Sequence, residues 1–285
     1  MDKQTFKAFW QLMRADKPIG IYLLLWPTFW SVLMASEGKP SWTIVVIFTL
    51  GVVVMRSAGC VINDIADRHV DGKVKRTAQR PLARGDVTLK QAQGLFAGLI
   101  VIAFTLVLFL NWQTIALSVI ALLLASVYPF MKRYTHLPQV VLGAAFSWSI
   151  PMAAMAITET LPAWVWYLYG ANLLWTVAYD TQYAMVDRDD DILIGVKSTA
   201  ILFGQYDRLV IAVLQFLALG LLVYVGIAWS FSLPFYLGVI ISAILFVRQQ
   251  FLIRNRERNA CFSAFLNNHY VGMLIMLGIG LHFWL

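Results

Sequence analysis

Residues 180–198 hold five of the chain's fifteen acidic residues. Asp180, Asp187 and Asp191 fall at i, i+7 and i+11, a spacing that puts all three carboxylates on one face of a helix. Tyr183 lies between them and Asp190 beside that face. A second acidic stretch, residues 63–71, follows another apolar run. If the helix continues past Val61, Asp64, Asp67 and Asp71 share a face at i, i+3 and i+7, and Asn63 stands one turn from Asp67. Carboxylates stacked one turn apart repel each other unless hard cations sit among them. Mg²⁺ takes one or two carboxylates, keeps several waters and fills its shell with phosphate oxygens. Two such faces side by side could hold Mg²⁺ ions with a diphosphate between them.

Basic residues surround both stretches. Lys73, Lys75, Arg76 and Arg80 follow the first, Lys132 and Arg133 form a short basic pair, and Lys197 follows the second. Cations so placed suit a polyanion that metals only partly neutralise. Membrane orientation and attraction to anionic lipid also account for single members of the set. Arg133 and Lys197 stand nearest the apolar runs and are the preferred diphosphate ligands. Arg56 is different, lying two turns inside an apolar run on nearly the same face as Asn63. A cation at that depth marks a candidate functional site, and its role would be to clamp the anionic group of a second substrate. Snorkelling toward the interface is the alternative.

The elements that must carry these residues are apolar. Of 285 residues, 60% are hydrophobic and 13% charged, about half the charged share of a soluble domain. Runs of membrane-crossing length recur at 18–36, 43–62, 91–110, 114–131, 138–157, 163–183, 209–229, 233–249 and 268–285. Residues 1–17 mix Lys3, Lys7, Arg14 and Lys17 with Phe6, Phe9 and Trp10 and read as an interfacial helix. The expected architecture is therefore all-α and polytopic, a single domain over 1–285 with nine spans. With the N-terminus in the cytoplasm, twenty of the 22 Lys and Arg residues fall in cytoplasmic segments and only Lys39 on the opposite side. That alternation explains the net charge of +7 and excludes a nucleic-acid surface. Both acidic stretches then emerge on the cytoplasmic face, and the C-terminus on the other. Cys60 and Cys261 have no metal-ligand spacing and read as small buried residues. The N-terminus lacks a cleavable signal pattern, with Asp2 and Asp16 ahead of the first span.

Asn63-Asp64-x-x-Asp67-x-x-x-Asp71 resembles the first aspartate signature of the UbiA-type intramembrane prenyltransferases, and Asp187-x-x-x-Asp191 resembles the second. Met55-Arg56-x-Ala58-Gly59-Cys60, Lys75-Arg76-Thr77-x-x-Arg80-Pro81-Leu82 and Tyr128-Pro129-x-x-Lys132-Arg133-x-Thr135 are similar to the bacterial 4-hydroxybenzoate branch of that family. The resemblance implies a nine-helix bundle around a central cavity in the bacterial inner membrane. It implies Mg²⁺-dependent transfer of a polyprenyl group from polyprenyl diphosphate to the ring carbon ortho to the hydroxyl of 4-hydroxybenzoate, in ubiquinone synthesis. Asp64, Asp67, Asp71, Asp187 and Asp191 would hold the metal. Arg133 and Lys197 would steady the departing diphosphate. Arg56, Asn63, Lys75, Arg76, Arg80, Lys132, Asp180 and Tyr183 would bind substrates.

Two other readings are weighed against this one. The same fold could serve another acceptor: homogentisate, haem or a glycerol phosphate. A cation or proton transporter would also use intramembrane acids, but it binds near the bilayer midplane. Here the acids lie at span ends, beside cations.

Overall fold

Prolines and polar caps set where the helices begin. The computed structural model describes residues 3–285, the side chain of Lys73 excepted, so Met1 and Asp2 lie outside the described residues. After α1 (Lys3–Leu12), Pro18 opens α2 (Ile19–Ala35). The Ser41 hydroxyl accepts from the Ile44 amide to start α3 (Trp42–Asp67). A short turn of helix, α4 (Pro81–Arg84), precedes α5 (Leu89–Val107), which opens on a reciprocal Thr88–Gln91 capping box. The Asn111 side chain caps α6 (Trp112–Tyr134). The fifth expected span is two helices, α7 (Pro138–Ser147) and α8 (Ser149–Thr158), broken at Trp148. Pro151 has no N–H to return to the Ser147 carbonyl, and its ring crowds that carbonyl. There follow α9 (Ala163–Ile194), α10 (Thr199–Phe203), α11 (Asp207–Ala228), α12 (Leu233–Leu252) and α13 (Arg258–Trp284). Every regular element among the described residues is helical.

Seven of these segments are long and apolar enough to cross a membrane: α3, α5, α6, the α7–α8 pair, α10–α11, α12 and α13. Helix α2, with 17 residues, is apolar but shorter. Helix α9 is the longest, 32 residues and so about 48 Å. Its Trp, Tyr, Asn and Asp content makes it less apolar than those seven, for a structural reason. Seventeen of its residues are buried, and it packs against α7, α11 and α13 in the middle of the bundle. A helix covered by other helices needs no lipid-facing side. Helices α5 and α6 are the opposite case, exposing Val101, Phe104, Val119 and Leu123. So much contiguous apolar surface belongs against lipid. The protein is a multi-pass membrane protein.

Helix α13 starts ten residues earlier than the hydropathy pattern suggests. The polar residues that hide its first turns have partners inside the bundle. Trp175 Nε1 donates to Asn268 Oδ1, Asn268 Nδ2 to Gln182 Oε1, and Gln182 Nε2 to Gln249 Oε1. Gln215 Nε2 donates to the same Gln249 oxygen, and Gln249 Nε2 to Asn267 Oδ1. This chain of side-chain amides, at 2.8–3.1 Å, ties α9, α11, α12 and α13 together with every member buried. Trp30 adds α2 by stacking on Trp175 at 5.7 Å while its Nε1 donates to the Gly272 carbonyl.

Candidate active site

Helices α3 and α9 both bring acids of their C-terminal turns to one pocket. α9 continues unbroken through Asp180, Asp187 and Asp191, as the spacing predicts, and stops at Gly195, whose φ of 72° suits glycine. α3 behaves differently. It ends at Asp67, and Asp71 sits in a separate 3-10 turn, Asp71–Lys73. The shared face expected for Asp64, Asp67 and Asp71 therefore stops at Asp67. Arg80 restores the link by donating to both oxygens of Asp71, at 3.0 and 2.9 Å, while pairing with Asp64 at 3.0 Å.

Two adjoining cavities lie at this junction. A small pocket of about 140 Å³ is lined by Asn63, Asp67, Asp71, Asp180, Asp187 and Asp191, with Lys132 and Lys197. A large one of about 1890 Å³ runs into the bundle between α2, α3, α5, α6 and α13, with mostly apolar walls. Asn63, Arg76, Arg80, Tyr128, Asp180, Tyr183 and Asp187 line both. A polar pocket sharing its wall with a long apolar chamber suits a ligand with a charged head and a hydrocarbon tail.

Most of the acids have cationic partners. Lys132 pairs with Asp67, and Arg76 donates through Nε to Asp187 at 3.0 and 2.9 Å. The Arg76 guanidinium also lies 4.6 Å over the Tyr183 ring and donates to its hydroxyl. The Lys75 amide donates to Asp190 at 3.4 Å, and Arg258 pairs with the same carboxylate at 2.9 Å. Those Arg258 bonds hold Asp190 below the usual carboxylate range. Burial pushes Asp71 up, against Arg80, and pushes Asp191 up to about 7, with the charge of Asp187 adding to it.

The donor set fits a hard divalent cation. Asp67 Oδ1 is buried with no hydrogen-bond partner, and among the described residues the Asp191 carboxylate forms no ion pair although it faces the small pocket. Among the described residues no three acids, histidines or cysteines converge on one point, so the protein alone would leave an ion's shell incomplete. That matches Mg²⁺, which draws the rest from water and phosphate oxygens.

The other expected site residues divide. Arg133 lines neither cavity; it donates to the Ala66 carbonyl and lies 5.5 Å over the Phe130 ring. The helical turn that brings Lys132 inward turns Arg133 outward. Lys197 stands at the small pocket but donates to the Tyr134 carbonyl at 3.2 Å. Asp64 is absent from the small pocket and lies on the large cavity's wall. Arg56 lines the large cavity as expected. One of its nitrogens donates to Cys60 Sγ, and its Nε is buried without a partner. A Cβ at Gly20 would overlap that guanidinium, so a larger residue there would displace Arg56 from this position. Arg14, Arg258, Tyr128 and Gln139 also belong to the site but escape sequence reasoning. Tyr128 and Gln139 carry no charge to draw notice, and Arg14 lies fifty residues from the Asp64 it grips.

A family model described as the UbiA prenyltransferase family matches residues 24–277. The chain is 64% identical over 285 residues, the full length of both, to the 4-hydroxybenzoate octaprenyltransferase of Pseudoalteromonas atlantica. The solved UbiA homolog of Aeropyrum pernix K1 superposes with a TM-score of 0.81 at 25% identity, over 90% of this chain and 96% of that one. The Archaeoglobus fulgidus homolog solved with GPP and Mg²⁺ gives 0.76 at 15% identity, over 98% and 100%.

Proposed function

The chain belongs to the UbiA prenyltransferase family, and we propose that it transfers a polyprenyl group from polyprenyl diphosphate to 4-hydroxybenzoate. The product is 3-polyprenyl-4-hydroxybenzoate, a step toward ubiquinone. The enzyme works in the bacterial inner membrane with its acid pocket and N-terminus cytoplasmic and its C-terminus on the other side. The observation that carries this reading is the acid pocket beside an apolar chamber, with shared lining residues, on whose wall Arg56 keeps an unused donor. The relative from Pseudoalteromonas atlantica, identical at 64% of positions, supports the choice of acceptor.

Asp67, Asp71, Asp187 and Asp191 would hold Mg²⁺, which supplies charge neutralisation to a diphosphate that is otherwise a poor leaving group. Arg76 and Arg80, on the border of both cavities, steady the diphosphate as the C1–O electron pair leaves with it. The chamber walls exclude water from the allylic cation. Tyr183 and Phe265 supply aromatic rings to the chamber wall, where cation–π contacts can form. The ring carbon ortho to the hydroxyl then bonds to C1 and loses its proton. Arg56 holds the benzoate carboxylate, because a planar guanidinium can grip it through two parallel hydrogen bonds. The buried Nε without a protein partner fits a group reserved for a ligand.

The test is steady-state kinetics on purified enzyme with each substrate varied in turn. Losing a buried charge-assisted pair costs on the order of 3–5 kcal/mol, so Arg56→Ala should lower efficiency for 4-hydroxybenzoate roughly a hundredfold or more. Its effect on the prenyl donor should be small, and Arg56→Lys should recover only part of the loss. A raised KM for the donor with an unchanged KM for the acceptor would make Arg56 a diphosphate ligand instead.

A further inference from the structure

Asp64 is the one acid of the first cluster that stands apart from the small pocket. It is 1% exposed, with its oxygens turned to guanidinium groups. Both its oxygens accept from Arg14 Nη2, at 2.9 and 3.0 Å, and Oδ1 also pairs with Arg80 at 3.0 Å. Arg14 sits in the turn between α1 and α2 with φ at 57°, a conformation that costs a non-glycine residue energy. Its other terminal nitrogen donates to the Gln11 carbonyl at 2.8 Å, so the guanidinium is pinned at both ends. Arg14, Arg80 and Arg76 all line the large cavity.

We propose that Asp64 is a counter-ion that aims Arg14 and Arg80 at the diphosphate, and that Arg14 is a diphosphate-binding residue. Asp64 is then a positioning residue and no metal ligand. Arg80 is shared with Asp71, so the two guanidinium groups and two carboxylates balance, and what Asp64 supplies is direction. Through Arg14 the first helix becomes part of the donor site. The proposal rests on the metal-dependent reading above, and two binding measurements on the full chain in detergent separate the two.

The first is Mn²⁺ binding, followed by the paramagnetic resonance of the free ion. Asp64→Asn should hold Mn²⁺ within about threefold of the parent, while Asp67→Asn and Asp187→Asn lose about tenfold or more. The second is binding of inorganic diphosphate in EDTA, by calorimetry. Arg14→Gln should weaken it about tenfold or more, the worth of a hydrogen bond to a charged group. Asp64→Asn decides between aim and charge. Removing a negative charge should by itself tighten anion binding, whereas loss of aim weakens it, and weakening is expected. Should Asp64→Asn fail to fold, Arg14→Gln answers in the Mn²⁺ titration. It should leave Mn²⁺ affinity unchanged, whereas a true ligand freed from its competitor would bind Mn²⁺ more tightly. Loss of Mn²⁺ in Asp64→Asn, or parent-like diphosphate binding in Arg14→Gln, overturns the proposal. A parent that binds no Mn²⁺ overturns the metal reading beneath it.

Discussion

Helix α9 carries Asp180, Asp187 and Asp191 on one unbroken rod, whereas α3 stops at Asp67 and leaves Asp71 to a turn. The rod is fixed by its neighbours. Gln182, one residue before Tyr183, is locked into the amide chain, and Trp175 and Tyr179 pack edge to face at 5.2 Å below it. The acids of α9 are therefore placed by packing that extends far from the pocket. The first cluster is placed by ion pairs instead: Arg80 spans Asp64 and Asp71, and Lys132 holds Asp67. One half of the site is rigid before any ligand arrives. The other is assembled from charges that a diphosphate or a cation can compete for.

The largest effects should ignore this difference, because on the proposed reading both halves would hold the same ion. Asp67→Ala and Asp187→Ala should each cost a factor on the order of 10²–10³ or more in turnover while inserting normally. Activity should vanish in EDTA and return with Mg²⁺. Near-normal turnover in either variant would break the symmetry and leave one cluster without a metal role. Next in size, Arg76→Ala should lower turnover by about 10–100-fold, since it removes hydrogen bonds to a charged group. Its loss should leave thermal stability nearly untouched, because the guanidinium is part exposed and lies in a loop. Gln182→Leu should show the reverse pattern. It should lower stability by about 1 kcal/mol, the scale of a buried polar contact between membrane helices, with a several-fold loss of turnover. Calorimetric or fluorescence melting beside the rate assay sharpens the comparison. A Gln182→Leu variant that melts like the parent would show that the amide chain does not fix the rod. Smallest of all, Arg133→Ala should stay within about threefold of the parent, as an exposed side chain outside both cavities. A tenfold loss would return it to the diphosphate site.

The spacing of Asp180, Asp187 and Asp191 is readable because α9 is regular, and a period of 3.6 converts position into direction. Arg56 is readable because a cation inside an apolar run is costly and persists there only with a partner or a task. The choice of Arg133 over its neighbour uses proximity to a span, which says nothing about the side of the helix, and Arg133 lines neither cavity. Asp71 is misplaced by extending a helix that ends sooner. Nothing local marks that end, because Arg68-His69-Val70 continues a helical pattern and the stop depends on the turn held by Thr77, whose hydroxyl donates to the Asp71 carbonyl. Arg14 is invisible for want of a local rule that joins residue 14 to residue 64. The start of α13 is hidden by composition: Asn267 and Asn268 look like loop residues until their partners on α9 and α12 are known.

Those same asparagines bear on how the chain is made. Helices enter a bilayer in the order of synthesis, and an amide in hydrocarbon needs a partner there. Gln182 and Gln249 are inserted before α13 exists, with Asn268 and Asn267 still to come. Until α13 arrives, α9 and α12 each hold an amide with a permanent partner that has not been synthesised. A chain cut short before Arg258 thus loses more than its last crossing. It exposes unfinished polar chemistry at the centre of the bundle, a mark by which a membrane protease could tell an incomplete chain from a finished one.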